Sequence, residues 1–500
     1  MTKPSGEITG LLAEAVGAEN LSGSVADTIS HAVDFWPRAL ISARELGWPK
    51  GPTWVVWPGA AAEVAQVLRI ASAHSIPVIP FGAGSSMVGG ASPRGDDPVI
   101  VINTKRMSTL LDLDEVSLVA HVQAGVVGVE LEERLNQHGF SLGHVPTSMT
   151  NATLGGWLST RSAGLMSSRY GRISDMCLGL TAVLADGQVV HTRVAPRRAT
   201  GPDLAHLLLG AEGTLGVITA AHLRLHQLPI HRQFDAFRFE SLGRASGALC
   251  RLLARGVRPL VTRIQEDPRQ RKEGDGACGE AAAEAVAEAT AAAPVPAPAQ
   301  DLAAQPDPAC RVLMLAYEGP PDLVEAEASL AQDVALEHGG VALGPAPARR
   351  WWGQRFAGVF RIGPRLSEPM TIADQAEVGV RWSSVAPLEE RLIETLEERG
   401  LSAHVVVEHA RLESACLSVS FGGKVPQGTD LFAAYDGAWE ALGRAVREAG
   451  GGMAHVFGGG RHRARYLEEG ARERLALLAS VKRQLDPAGI MNPGILGTEP

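Results

Sequence analysis

The stretch that constrains this chain most is residues 80–90, PFGAGSSMVGG, which follows the apolar run Ile76–Ile79. A strand emptying into a loop so rich in glycine and serine offers a row of backbone N–H groups to a phosphate, because glycine lets successive amides turn to one side. From Gly82 the spacing is G-x-G-x-x-x-x-G, two residues off the dinucleotide-binding fingerprint. No Gly-Lys-Ser/Thr ending follows, so the loop is not that of a nucleoside triphosphatase. Alone, such a loop is more often a plain turn than a phosphate nest; the rest of the chain has to decide.

At 500 residues the chain is too long for one simple core, and two or three lobes are expected. A net charge of −9 argues against nucleic acid or an anionic membrane as the main partner. The N-terminus shows no secretory pattern, no window approaches a membrane-spanning apolar run, and GILGTEP is neither a peroxisomal nor an endoplasmic-reticulum address. Cys177, Cys250, Cys278, Cys310 and Cys416 are scattered without a C-x-x-C, so neither a disulfide framework nor a cysteine metal site is expected, and a reducing cytoplasm fits.

Along the chain, WVVWPG is a short strand, and AAEVAQVLRIASAHS is a helix through Val64, Val67, Leu68 and Ala71. IPVIPFG is extended, with Pro77 and Pro80 marking an edge or a strand end, and PVIVINT is a buried strand. SLVAHVQAGV alternates as a strand, and VGVELEERLNQHG is a helix ending at Gly139. A long Gly/Ser/Thr loop covers 141–164, and LGLTAVLADGQVV is a hairpin turning at Asp186-Gly187. DLAHLLLGAEGTLGVITAAHLRL gives a helix, a glycine turn and a strand. Beyond about 230, FDAFRFES and RVLMLAYEG are strands among Ala-rich helices, as in a sheet covered by helices. The Ala/Pro/Glu-rich stretch 271–309 has almost no large apolar residue and reads as a surface insertion. Residues 431–500 are largely helical.

Five blocks in this order, PFGAGSS, GHVPTSMTNATLGGWLSTRSAG, YGRISDMCLGLTAVLADGQVV, LGAEGTLGVIT and LDPAGIMNPG, resemble the FAD-linked oxidases of the vanillyl-alcohol-oxidase (PCMH) type. Within them the chain looks most like the alkyldihydroxyacetonephosphate synthase branch, over roughly 30–500. The resemblance implies an α+β fold: an N-terminal helical segment (1–29), a PCMH-type FAD-binding domain of two α+β subdomains (30–228), a cap with an antiparallel sheet covered by helices (229–440), and a helical return (441–500). It implies FAD, held non-covalently; no His or Cys lies in the loop, although a histidine such as His144 is a conceivable tether. Pro80, Phe81, Gly82, Ala83, Gly84, Ser85 and Ser86 would take the diphosphate. Thr147, Ser148, Met149, Thr150, Asn151, Ala152 and Thr153, with Thr160, Arg161, Ser162 and Ala163, would line the flavin. Glu212, Gly213, Thr214, Leu215, Gly216, Val217 and Ile218 would close over adenine and ribose, with a strand-edge amide such as that of Ile218 at the base.

The same resemblance places Arg263, in VTRIQED, beside the flavin, and Arg361 (or Arg365) on a substrate anion; arginine forks suit carboxylate and phosphate. Glu377 and Trp382 fall near the site, Trp382 reading equally well as core. Two departures stand out. Ser418 occupies the place of the branch's acid/base tyrosine, and a hydroxyl is a poor proton shuttle. Of three consecutive family histidines only His455 remains, with Val456 and Phe457 replacing the others and His462 nearby. His455 and His462 lack the Asp and Asn of the dehydrogenase metal motif, so no metal is expected. These features imply an FAD-dependent oxidoreductase acting through flavin N5 on a small anionic substrate, with Arg263, Arg361 and His455 in the site and an unknown electron acceptor. The alternatives are a redox-neutral synthase-type exchange through a flavin N5 adduct and a catalytically silent flavoprotein. The family is often dimeric, so a homodimer is the expectation.

Overall fold

The computed structural model describes residues 6–93, 98–192, 194, 201–267, 310–356, 365–453, 457–466 and 471–497. The chain divides into two compact units, Met1–Leu228 with Asp430–Pro500, and Pro229–Thr429. The second break, ahead of the expected 440, coincides with a helix start: the Asp430 side chain accepts the amides of Phe432 and Ala433.

In the first unit, α1 (Gly6–Val16) precedes a sheet of β1 (Leu21–Ser22), β2 (Trp54–Val56), β3 (Val78–Phe81) and β4 (Ile100–Asn103), in the order β1-β2-β4-β3. Strands β2, β4 and β3 run parallel. Between β2 and β3, α2 (Ala61–Ala73) buries Val64, Val67, Leu68 and Ala71, one apolar stripe at helical spacing, as the sequence predicts. The stripe joins Val56, Ile100 and Ile102 in one core, where each large side chain contributes roughly 1.5–3 kcal/mol. Strand β3 is the sheet edge, where Pro80 withdraws no ladder donor.

A second, larger sheet of this unit is antiparallel. It contains β5 (Leu110–Asp114), β6 (Val119–Gln123), β7 (Cys177–Val183), β8 (Val189–His191) and β9 (Val217–Arg224), ordered β5-β6-β9-β7-β8. The β7–β8 hairpin turns at Gly187 (φ +79°), as expected from Asp-Gly. Helix α3 (Gly128–Gln137) ends just before Gly139 (φ +82°). The stretch 141–164, read from sequence as one loop, also contains α4 (Leu154–Thr160), whose N-cap Thr153 accepts the Gly156 amide. The signal was present: a threonine precedes an apolar turn, but the glycines at 155 and 156 masked it. Helices α9 (Leu431–Glu448) and α10 (Ala471–Leu485) belong to the same unit.

Among the described residues of the second unit seven strands form one antiparallel sheet: β10 (His231–Phe239), β11 (Val261–Glu266), β12 (Arg311–Gly319), β13 (Val341–Ala342), β14 (Thr371–Arg381), β15 (Ser402–Ala410) and β16 (Ser414–Lys424). Their order is β13-β10-β12-β11-β15-β16-β14. Helices α5 (Leu242–Ala254), α6 (Pro321–Glu337) and α8 (Val385–Glu397) cover one face, which Arg311 on β12 marks by pairing with Glu389 on α8 at 3.1 Å. Helix α7 (Ala346–Gly353) packs on the opposite face, against Ala236, Val312 and Met314. The expected insertion 271–309 lies outside the described residues.

Candidate cofactor-binding and active site

In the first unit PFGAGSS, TSMTNAT, TRSA and EGTLG converge. A Cβ built on Gly82 would fall 2.2 Å from Thr153 Oγ1, and one on Gly213 would fall 2.8 Å from Pro80 Cγ. The first glycine lets TSMTNAT meet PFGAGSS, and the second lets EGTLG meet the end of β3. Gly213 also has φ +75°, which a side chain resists. Arg161, a left-handed residue at the end of α4, spends its guanidinium on the carbonyls of Leu209 (2.8 Å) and His206 (2.6 Å), tying TRSA to the turn before Glu212. Ile218 lies near the start of β9 at a register break with β7, where β6 does not pair with it.

Glu212 is the hub. Its buried carboxylate accepts the amides of Gly459 (2.7 Å) and Gly460 (3.0 Å). Burial pushes this carboxyl up to about 7, against the pull of those two donors. The Glu212 carbonyl takes the Asn492 side-chain amide (2.7 Å), which also donates to the Gly90 carbonyl (2.9 Å). Lys482, buried, donates to the Thr214 carbonyl, Asp486 and the Met491 carbonyl, all within 3.0 Å. The LDPAGIMNPG block thus clamps both the Gly-rich loop and EGTLG. A second buried carboxylate, Asp34, accepts the Ala91 amide and the Ser92 hydroxyl behind the loop, and burial raises it to about 6. Sequence reasoning missed Asp34 and Lys482, because nothing local distinguishes them.

Residues 82–87 are half-buried, and the backbone N–H groups of Ala83, Gly84, Ser85 and Ser86 donate to no acceptor among the described residues. Four unspent amides in a row, with Gly84 at φ +67°, form a concavity suited to an oxyanion. These residues fit the diphosphate of FAD. His144, the conceivable tether, is buried edge-on against Trp157. His462 sits in a box of Trp36, Tyr435, Trp439 and Tyr466, where burial lowers its affinity for a proton although Asp436 lies 3.8 Å away. Among the described residues no cluster of three metal-ligating side chains occurs.

In the second unit Arg263 lies on β11, on the sheet face of α7. Its Nη1 donates to Glu408 (2.8 Å), its Nε donates to Gln265 (2.8 Å), and Trp351 lies under the guanidinium at 5.3 Å. Glu377 and Ser418, both buried, stand directly opposite each other on β14 and β16. Strand pairing puts them on the same face as Arg263, with β15 and β16 between Arg263 and Glu377, about 14 Å apart at ordinary strand spacing. The Ser418 hydroxyl accepts a hydrogen bond from Gln375 (2.6 Å), a partner the sequence did not reveal. Trp382 leaves this face: its indole donates to the Arg411 carbonyl, and it lines a groove with α5 on the helix-covered side. Arg365 is exposed, while Arg361, His455 and Val456 lie outside the described residues.

A nest for a diphosphate on one unit and a polar, arginine-bearing sheet on the other are the parts of a flavoenzyme, and family models agree. Residues 52–193 match the FAD binding domain, and residues 228–496 match the C-terminal domain of FAD linked oxidases. The chain belongs to the FAD-linked oxidase family. Alkyldihydroxyacetonephosphate synthase of Dictyostelium discoideum is 28% identical over 93% of this chain and 76% of its own length. The glycolate oxidase subunit GlcD of Bacillus subtilis is 25% identical over 97% of this chain and 95% of its own. A solved alkyldihydroxyacetonephosphate synthase superposes with a TM-score of 0.78 at 24% identity, covering 98% of this chain and 85% of that one. The fold is the α+β PCMH type, as the sequence implied, and FAD is its cofactor. Among the described residues no helix is long and apolar enough to cross a membrane.

Proposed function

We propose that this chain is a cytoplasmic FAD-dependent oxidoreductase that removes hydride from a carbon next to oxygen on a small carboxylate or phosphate. The observation that carries this reading is Ser418: buried, opposite Glu377 and hydrogen-bonded by Gln375, it stands where the synthase branch has its tyrosine. A serine hydroxyl bound in this way does not shuttle protons near neutral pH, so the exchange reaction loses its acid/base group. Hydride removal needs an anion clamp and a base. Bound FAD supplies the two-electron acceptor. Arg263, oriented by Glu408 and Gln265, keeps Nη2 for the substrate anion, with Arg361 as the second clamp, Glu377 as a polar contact and His455 as the base. Glycolate, named in the Bacillus relative, has the required C–H beside oxygen and a carboxylate.

Redox-neutral exchange is the second reading, supported by the 28% identity to the Dictyostelium synthase across nearly the whole chain. Anaerobic titration of the purified yellow protein with 2-hydroxy acids and with acyl dihydroxyacetone phosphate separates the two. Oxidoreductase chemistry bleaches the flavin band, and an added acceptor restores it. Exchange of the acyl group without acceptor consumption would overturn the proposal, and inertness toward both substrate sets would favour a silent flavoprotein.

A further inference from the structure

On the helix-covered side of the second unit's sheet, away from Arg263 and Glu377, lies an open groove of about 600 Å³. Its wall on α5 consists of Gly243, Ser246, Gly247, Cys250 and Arg251, and its far wall is Trp382 with Ala386 in the first turn of α8. Gly247 lies inside the helix, where alanine is the better helix former, and Gly243 in its first turn. Among the described residues nothing requires either. A Cβ on Gly243 would meet nothing closer than 3.9 Å, and one on Gly247 would touch His338 at an ordinary 3.6 Å. The missing side chains therefore serve the space above α5.

That space carries an unspent charge. The Arg251 guanidinium has no ion pair or hydrogen bond among the described residues, whereas Arg255 one turn on is paired with Glu337 at 2.9 Å. The positive end of α8 points to the same place, and its N-cap Ser384 makes no side-chain cap. Trp382 is held flat by its bond to the Arg411 carbonyl, and the His338 ring is fixed by the Val334 carbonyl at 2.9 Å.

We propose that this groove is a binding site for a small aromatic carboxylate, its ring lying along Trp382 and the bare helix at Gly243 and Gly247, its carboxylate met by Arg251 and the α8 N-terminus. The sheet separates it from the polar face, so it is a second site, independent of the reaction proposed above. Cys250 in the wall reports occupancy. It is half-buried and free, whereas Cys177 and Cys416 are buried, and half-buried Cys310 lies outside the groove.

The test measures alkylation of the FAD-loaded full chain by N-ethylmaleimide, mapped peptide by peptide, with 2-naphthoate as probe. Saturating 2-naphthoate is expected to slow alkylation of Cys250 at least tenfold and to leave Cys310 unchanged. Arg251→Glu, a surface change that leaves the fold intact, should raise the half-protecting concentration at least tenfold, and Gly247→Phe should remove protection by filling the groove. Gly247→Ala should raise Tm by about 2 °C, since the helix gains and nothing clashes. Unprotected Cys250 at saturation, protection unaltered by Arg251→Glu, or equal protection by neutral 2-naphthamide overturns the proposal. Turnover enters none of these readouts, so failure of the redox reading leaves this test intact.

Discussion

The cofactor region and the polar face of the cap sheet hold their functional groups by opposite means. In the first, the working surface is backbone: the amides of Ala83 to Ser86, shaped by glycines and fixed from behind by Glu212, Asn492 and Lys482. In the second it is side chains from separate strands, Arg263, Glu377 and Ser418, aligned only because the strands pair in one register. Backbone sites tolerate no added atoms but ignore side-chain identity at many positions. Cross-strand sites accept small changes of side chain and depend on register.

This contrast is sharpest at Glu212. Replacing it by alanine strands two buried amides and should destabilise the first unit by roughly 3 kcal/mol, seen as a large fall in Tm and loss of bound FAD. A comparable loss from Arg263→Ala would break the distinction. The pH dependence of stability comes next. Glu212, raised to about 7 from 4.5, and Asp34, raised to about 6 from 3.8, bind protons more readily folded than unfolded. Their contribution is therefore present at low pH and disappears as pH rises from about 4 through about 7, on the order of 2–3 kcal/mol for Glu212. In denaturant titrations across that window, Glu212→Gln should flatten the slope; an unchanged slope would place the effect elsewhere.

Gly82→Ala drives a methyl into Thr153 Oγ1 and should cost about 2 kcal/mol, with FAD released during gel filtration. Thr153→Ala alone should lose about 1 kcal/mol as a missing helix cap, and the double variant should lose less than the two together. Strict additivity would show that the contact is not what excludes the side chain. In the cap, Arg263→Ala should lower kcat/KM at least tenfold while FAD content stays unchanged, because its partners Glu408 and Gln265 lie in the same unit. Ser418→Ala is the smallest change, under about 1 kcal/mol in stability and less than threefold in kcat. A collapse of turnover in that variant would return the serine to the chemistry.

The same contrast explains what could be read from sequence. PFGAGSS and EGTLG were legible because glycine at fixed spacing records a backbone conformation, whereas TSMTNAT, which has no glycine, was legible only through the family resemblance; the Asp186-Gly187 turn and the α2 stripe are equally local. The Gln375–Ser418 bond, the pairing of Arg263 with Glu408 and the departure of Trp382 from the polar face were not legible, because each depends on strands distant in the chain. Glu212 was named for its place in a motif, but its role as acceptor for Gly459 and Gly460 emerged only from contacts some 250 residues apart.

One consequence concerns the order in which the protein is made. The outer edge of strand β3 is joined at Val78 by the backbone of Ile490 and Asn492, and Gly90 and Glu212 wait for the Asn492 side chain. A ribosome delivers those partners only after the whole of 229–429. The cap can be folded and waiting while the earlier-made nucleotide loop is still unfastened. Loading with FAD is therefore expected to follow synthesis of 486–492, and a chain halted a few residues short of Asp486 would have a complete cap and an unfastened cradle.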